Sequence, residues 1–164
     1  MTIAYRILPV IALSIVAAPA LAVSNEPAVS DPSIVPSAPT LPVITDDENL
    51  LGQFGGREGL VRILDNVMER WMANPRTRPF FANSDRDRVK RQLVDQFCVI
   101  MHGPCTYDGR TMAEVHRGMN VSEASFYALV EELQITLNQL DVPFRAQNRL
   151  IAALAPMHRD IIDR

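Results

Sequence analysis

Residues 60–71 read LVRILDNVMERW, and the spacing of the apolar residues in this stretch predicts a helix with one buried face. The apolar positions are separated by steps of three and four, at Leu60, Ile63, Leu64, Val67, Met68 and Trp71. Residues three and four apart share one face of an α-helix, so we expect this face to enter a hydrophobic core. The helix should end near Asn74, because Pro75 disfavours helical backbone in the residue before it.

Three later segments repeat this helical spacing. Their apolar residues are Val89, Leu93, Phe97 and Ile100; Phe126, Leu129, Val130, Leu133, Leu137 and Leu140; and Leu150, Leu154, Met157 and Ile161. We expect the first of these helices to begin after Asp85 and Pro156 to interrupt the last one. A capping box of Asn120 and Glu123 is expected at the start of the helix between them. No segment alternates convincingly between apolar and polar residues, so the sequence predicts an all-α fold.

Residues 1–22 have the pattern of a secretory signal peptide. Arg6 is their only charge, an apolar stretch follows it, and Ala-Leu-Ala at 20–22 is a small-x-small cleavage pattern. The apolar stretch is interrupted by prolines and is short for a bilayer span. We therefore expect a cleaved signal peptide and no membrane span in the mature chain, with an uncleaved anchor as the alternative. The folded part is expected to be periplasmic or secreted, where disulfides persist.

A proline-rich stretch follows at residues 23–45. Its prolines are Pro27, Pro32, Pro36, Pro39 and Pro42. Proline at this density blocks helical hydrogen bonding and disfavours sheets, so we expect an extended, flexible linker. The remaining residues, 46–164, are numerous enough for one modest core. The sequence therefore predicts a signal peptide, a linker and a single helical domain.

Composition and charge argue against several classes of function. The formal net charge is −3 and aromatic residues make up 6% of the chain, which does not suit a nucleic-acid partner. The chain has two cysteines, too few for a four-cysteine zinc site. The glycines at 52, 55, 56 and 59 are neither preceded by a strand nor followed by a Lys-Ser/Thr pair. They indicate a hinge between two helices rather than a phosphate-binding loop.

The two cysteines are Cys98 and Cys105, seven residues apart across a predicted helix end and the loop after it. In an oxidising compartment this spacing allows a disulfide that ties the loop to the helix. Two buried free thiols are the alternative. A catalytic thiol is not indicated, because no histidine or carboxylate is placed to activate either cysteine in a recognisable pattern.

Histidine occurs three times, and His116 has the most informative setting. Met112 and His116 lie one turn apart on a predicted short helix, and Gly118 lets the chain turn away after it. A histidine on a rigid helix opposite an apolar helical wall is what a haem iron needs as its axial ligand. The alternative is an ordinary core or surface histidine, and spacing alone leaves both open. His102 and His158 are expected at the surface.

Five short motifs, occurring in order between residues 50 and 162, resemble those of the group I truncated haemoglobins. They are Phe54-Gly55-Gly56; Asn74-Pro75 with Pro79-Phe80-Phe81; Gly103-Pro104; Tyr107-x-Gly109-Arg110-x-Met112; and Val115-His116-x-Gly118-Met119-x-Val121-Ser122. The resemblance implies a two-on-two helical sandwich that holds one haem b, with one iron per chain. It implies reversible binding of a diatomic gas, O2, NO or CO, with a reductase or other electron donor as a further partner.

The resemblance also assigns residues on the proximal side of the haem. His116 takes the place of the proximal iron ligand, and Met112 and Val115 take places that contact the porphyrin. Arg88 and Lys90 are candidates for holding the haem propionates by their charge and position. Free surface cations are the alternative for these two side chains.

On the distal side, the resemblance puts Phe81 against the haem and Met68, Val89 and Leu93 around the bound gas. Many relatives have a tyrosine at the position of Met68 and a glutamine on the distal helix. Met68, Val89 and Leu93 instead have no strong hydrogen-bond donor. An apolar distal wall would stabilise the polar iron–dioxygen unit poorly and would affect CO or NO less.

Two further departures from the family pattern bear on the site. Gln92 and Gln96 flank Leu93, so a small difference in register would restore a donor to the distal wall. His102 stands where the family has the first glycine of its Gly-Gly-Pro motif.

Two alternative functions belong to other classes. Electron transfer would need Met68 or another internal side chain as a sixth iron ligand, although Met68 is more simply a side chain that lines the pocket. A haem-free helical interaction module would take up no haem and would tolerate the loss of His116. An enzyme is not indicated, although slow NO-dioxygenase or peroxidase-like side activity is compatible with a haem.

Overall fold

A computed structural model describes residues 40–162, and every regular element within that range is helical. The elements are α1 (Leu50–Gln53), α2 (Gly56–Ala73), α3 (Arg78–Phe81), α4 (Arg86–Ile100), α5 (Met112–His116), α6 (Glu123–Gln139), α7 (Phe144–Leu154), a 3-10 turn (Ala155–Met157) and α8 (His158–Ile161). The all-α prediction is confirmed. The predicted signal peptide and most of the predicted linker lie outside the described residues.

The four long helices form the framework of the domain. All six apolar residues that define the inner face of α2 are buried, together with Gly59. α2 packs along α4 and also contacts α6, while α6 and α4 both contact α7. One pair of helices, α2 and α4, therefore lies over a second pair, α6 and α7, and the core fills the space between them. None of the helices between residues 40 and 162 combines the length and apolarity needed to cross a membrane.

The glycine hinge predicted between the first two helices is confirmed. Gly55 and Gly56 have φ values of 79° and 66°, a left-handed backbone that glycine adopts without the penalty of a side chain. A Cβ atom at Gly59 would lie 1.9 Å from the carbonyl oxygen of Phe54. The chain therefore folds back on itself tightly at the start of α2, and only glycine permits this approach.

The capping box predicted from Asn120 and Glu123 is wrong. Ser122 is the N-cap of α6, and its hydroxyl accepts a hydrogen bond from the backbone N–H of Ser125 at 3.1 Å. Asn120 instead has a φ of 52°, a left-handed conformation that asparagine tolerates better than most residues. The interruption predicted at Pro156 is confirmed, because α7 ends at Leu154 and the 3-10 turn follows.

The chain before α1 also lies against the domain in its described part. The backbone N–H of Ile44 donates to the carbonyl oxygen of Ile100 at 2.8 Å. The side chains of Leu41 and Ile44 are partly buried and pack against the core. The end of the predicted linker therefore packs against the domain through Leu41 and Ile44, although these residues form no helix or strand.

Cys98 and Cys105 form a disulfide with a Cα–Cα distance of 5.9 Å. Cys98 is fully buried in the last turns of α4, and Cys105 is partly buried in the loop between α4 and α5. The backbone N–H of Gly103 donates to the carbonyl oxygen of Cys98 at 2.8 Å and reinforces the same turn. The bond therefore fixes the loop that leads into α5 to the end of α4.

Replacing both cysteines, Cys98→Ala with Cys105→Ala, should lower the free energy of unfolding by about 2–3 kcal/mol, because the bond restricts the unfolded chain. For a domain of this size the loss corresponds to a melting temperature lower by about 10 °C. Thermal denaturation followed by circular dichroism, with and without reductant, measures it. The parent and the variant should melt alike in reductant, and equal melting without reductant would contradict the stabilising role of the bond.

Candidate functional site

The short helix α5 carries His116 and is held at its start by a capping box. The hydroxyl of Thr111 accepts from the backbone N–H of Glu114 at 3.3 Å. The Glu114 carboxylate in return accepts from the backbone N–H and the hydroxyl of Thr111, at 2.9 and 2.8 Å. These two hydrogen bonds lower the pKa of Glu114 and so favour the ionised carboxylate. A helix of five residues would not be stable alone, so the capping box contributes to its formation.

The imidazole of His116 is partly buried and has a defined tautomer. Its Nδ1 lies 2.8 Å from the carbonyl oxygen of Met112, one turn earlier in α5. A carbonyl oxygen only accepts, so Nδ1 must carry the hydrogen and donate it. In the neutral ring the lone pair is then on Nε2, which makes no hydrogen bond within the described part of the chain.

Burial lowers the pKa of His116, and the hydrogen bond to Met112 opposes this effect in part. The neutral imidazole is therefore favoured near pH 7, and this is the form that binds a metal. Between residues 40 and 162 no three His, Cys, Asp or Glu side chains come together in a way that could hold a metal ion. The arrangement thus offers one imidazole nitrogen, which suits a metal that brings its other ligands with it.

The apolar candidates for the pocket lie on α2, α4 and α5. Met68 on α2 is buried, with 5% of its surface exposed. Val89 and Leu93 on α4 and Met112 on α5 are partly buried and pack against the same core. Val115 is partly buried but lies outside this cluster. Four of these five predicted positions are therefore brought into one apolar cluster.

Phe81 at the end of α3 is fixed by an aromatic stack. Its ring lies 5.0 Å from that of Trp71, and the two planes differ by 9°. The indole N–H of Trp71 donates to the carbonyl oxygen of Leu129 on α6 at 3.1 Å. Phe81 is therefore positioned through Trp71 by both α2 and α6, and it too packs against the core.

The two predicted cations have different surroundings. Lys90 Nζ lies 2.7 Å from Asp65 on α2 and 3.1 Å from Asp87 on α4. Hydrogen bonds to these carboxylates, above all to Asp65, raise the pKa of Lys90. Lys90 is thus engaged in joining α2 to α4. Arg88 is exposed and its guanidinium makes no ion pair with any described residue, so it is the freer of the two to meet an anion.

Two side chains have surroundings that the sequence did not indicate. Gln96 on α4 is 2% exposed, and its Nε2 lies 3.7 Å from the sulfur atoms of both Met112 and Met157. His158 was expected at the surface, and this is wrong. Its ring is partly buried and stands edge-on to Phe126 with a centroid distance of 4.7 Å, and its buried Nε2 has no hydrogen-bond partner among residues 40–162.

The burial of His158 has a cause that helical periodicity does not reveal. The 3-10 turn redirects the chain after α7, so that His158, the first residue of α8, lies against Phe126 of α6. His102, by contrast, is exposed at the end of α4, as expected.

The lowered pKa of His116 predicts that acid destabilises the haem-free domain. The unfolded chain takes up a proton on this histidine near the ordinary value of 6.5, whereas the folded chain takes it up at lower pH. Below about pH 6.5 the unfolded state therefore binds more protons, and the free energy of unfolding falls as the pH falls. An NMR titration of the His116 ring in haem-free protein should give a midpoint below 6.5. A midpoint at or above that value would overturn the prediction.

The sequence and the fold both match known proteins. Residues 49–163 match the family described as bacterial-like globin. The chain is 27% identical to the group 1 truncated hemoglobin of Tetrahymena pyriformis over 115 residues, which cover 70% of this chain and 95% of that protein. It is 26% identical to the group 1 truncated hemoglobin GlbN of Mycolicibacterium paratuberculosis over 113 residues, covering 69% and 83%.

Solved structures agree with these matches. The crystal structure of the Tetrahymena pyriformis truncated hemoglobin in the Fe(III) form has a TM-score of 0.67 and covers 70% of this chain and 98% of its own. Three further structures of that protein carry substitutions, one of a tyrosine and two of glutamines. The 2/2 hemoglobin of a Synechococcus species, 21% identical, has a TM-score of 0.65 over 70% of this chain and 98% of its own, which is a likeness of fold.

Proposed function

Because this chain belongs to the bacterial-like globins, and among them to the group I truncated haemoglobins, we propose that it holds one haem b through His116 Nε2 and binds a diatomic gas on the other side of the iron. Haem binding follows from the family, and the residue assignment is our inference. The observation that carries it is the hydrogen bond from His116 Nδ1 to the Met112 carbonyl oxygen, which leaves Nε2 as the metal-binding atom.

The residues present fit a haem. They offer one neutral imidazole nitrogen, a cluster of apolar side chains on α2, α4 and α5, and an exposed cation on α4, Arg88, which forms no ion pair within residues 40–162. An apolar surface suits the faces of a porphyrin, and a cation suits its propionates. When bound, a ferrous haem supplies an iron that takes up O2, NO or CO reversibly.

The chain's own groups define the proximal side. The Met112 carbonyl oxygen holds the His116 ring in one orientation and makes Nε2 a stronger donor to a metal. Burial keeps the ring neutral near pH 7, so no proton has to leave before it binds the metal. The capping box of Thr111 and Glu114 holds the start of the helix on which this ring sits.

On the distal side, spacing supports the assignment of three side chains. In the Tetrahymena relative, the substituted tyrosine precedes the first substituted glutamine by 21 positions, and the second glutamine follows four positions later. Met68, Val89 and Leu93 have the same spacing in this chain. Where that relative has three side chains with hydrogen-bond donors, this chain offers three without a strong donor. We therefore infer that its pocket favours CO and NO over O2.

We also propose that the mature chain works outside the cytoplasm. The signal-peptide pattern at residues 1–22 supports this location. The disulfide between Cys98 and Cys105 supports it too, since such a bond persists in oxidising compartments.

An absorption spectrum of the full chain reconstituted with haem tests the role of His116. The parent protein should show a Soret band that shifts when CO is added to the ferrous form. His116→Ala should lose most of its haem, because the single protein ligand is gone. The matched control is His102→Asn, which removes an exposed histidine with a φ of 57° and replaces it by a residue that tolerates this conformation. Haem uptake should be unchanged in this control.

The same spectrum separates the proposal from its rivals. Equal haem uptake by His116→Ala and the parent would contradict the assignment. A low-spin ferrous spectrum without added gas would favour an internal sixth ligand and electron transfer. Absence of a Soret band in the parent after reconstitution would favour a haem-free interaction module.

Met68→Tyr should lower the ratio of CO affinity to O2 affinity about tenfold, because the new hydroxyl donates to the more polar gas ligand and one such hydrogen bond contributes about 1 kcal/mol or more. Met68→Phe is the matched control, with the same ring but no hydroxyl, and should leave the ratio unchanged. Gas titration and flash photolysis measure both affinities. An equal ratio in the two variants would show that residue 68 does not reach the gas.

A further inference from the structure

Gln96 is an exception among the buried polar side chains of the described chain. Thr77 donates to the carbonyl oxygen of Trp71 at 2.7 Å, and Thr136 donates to a backbone carbonyl in the same way. The amide nitrogen of Gln147 donates to two oxygen atoms, at 2.8 and 2.9 Å. The amide nitrogen of Gln96, buried as deeply, lies against two sulfur atoms instead.

A thioether sulfur is a weak hydrogen-bond acceptor, so this arrangement recovers little of the cost of burying an amide. An apolar side chain of the same size would avoid that cost. A buried polar group with poor hydrogen-bond partners often has a functional role rather than a stabilising one. One of the two sulfurs lies on α5, and the other lies on the 3-10 turn that precedes α8.

Both sulfur atoms connect Gln96 to the helix of the proximal histidine. Met112 is the first residue of α5, and its carbonyl oxygen orients the His116 ring. Met157 closes the 3-10 turn, and α8, which packs against α5, begins at the next residue. Gln96 on α4 thus contacts the first residue of α5 and the 3-10 turn that leads into α8.

We propose that Gln96 is a positioning residue for the proximal imidazole. Its amide anchors Met112 and Met157, so α4 sets the orientation of α5 and with it the strength of the bond between His116 and the iron. The inference rests on the proposed haem function. It differs from a role as a distal donor, because the Gln96 amide is directed at sulfur atoms on the proximal helix and the 3-10 turn.

Resonance Raman spectroscopy of the haem-loaded full chain tests this inference. The ferrous protein reports the iron–imidazole stretch, and the CO complex reports the C–O stretch, which follows the polarity of the distal side. Gln96→Met keeps the length of the side chain and removes the N–H donors. Met112→Leu removes one sulfur and keeps the backbone carbonyl. Both variants should shift the iron–imidazole band, and the double variant should shift it by less than the sum of the two.

The matched control is Gln92→Met on the same helix, since the Gln92 amide nitrogen donates to Asp108 in the loop before α5, and no hydrogen bond within residues 40–162 joins its side chain to α5. This control should leave the iron–imidazole band in place.

Gln96→Met should also lose haem to an acceptor protein about fivefold faster than the parent. Circular dichroism of the haem-free proteins checks folding, and Gln96→Leu replaces Gln96→Met if that variant does not fold.

The outcomes separate this inference from the proposed function. A shift of the C–O band with an unchanged iron–imidazole band would make Gln96 a distal donor and overturn the positioning role. Unchanged bands in every variant would overturn it as well. A parent protein without a Soret band after reconstitution would instead refute the haem function on which the inference rests.

Discussion

The site depends on one hydrogen bond, from His116 Nδ1 to the carbonyl oxygen of Met112. Because a carbonyl oxygen cannot donate, this bond fixes the tautomer of the ring and leaves Nε2 to bind a metal. Both partners belong to the same five-residue helix, so the orientation of the His116 ring depends on the geometry of α5. The rest of the fold can be understood as support for that helix, which is too short to form alone.

The support for α5 comes from several directions. Thr111 and Glu114 cap its start, and the disulfide ties the preceding loop to α4. α8 packs against its length, and the Gln96 amide touches its first residue. The long helices contribute differently, because α2 and α4 carry Met68, Val89 and Leu93, which belong to the same apolar cluster as Met112. A short helix with several separate anchors can hold a histidine firmly without a long helix of its own.

Much of the fold was predictable from the sequence, because long amphipathic helices repeat their pattern over several turns. The inner face of α2 and the glycine hinge before it are as predicted. The errors fall where one local contact decides the outcome. Ser122, not Asn120, caps α6, because Asn120 is used for a left-handed turn. The burial of His158 depends on its contact with Phe126 of α6, and the sulfur contacts of Gln96 join segments distant in sequence; no local pattern contains either.

The most direct test of the central claim is a crystal structure of the haem-loaded chain. The account predicts continuous electron density between the iron and His116 Nε2, with Nδ1 still within hydrogen-bond distance of the Met112 carbonyl oxygen. Met68, Val89 and Leu93 should line the opposite side of the haem. An iron held by another residue, or by His116 through Nδ1 with the bond to Met112 broken, would contradict the account.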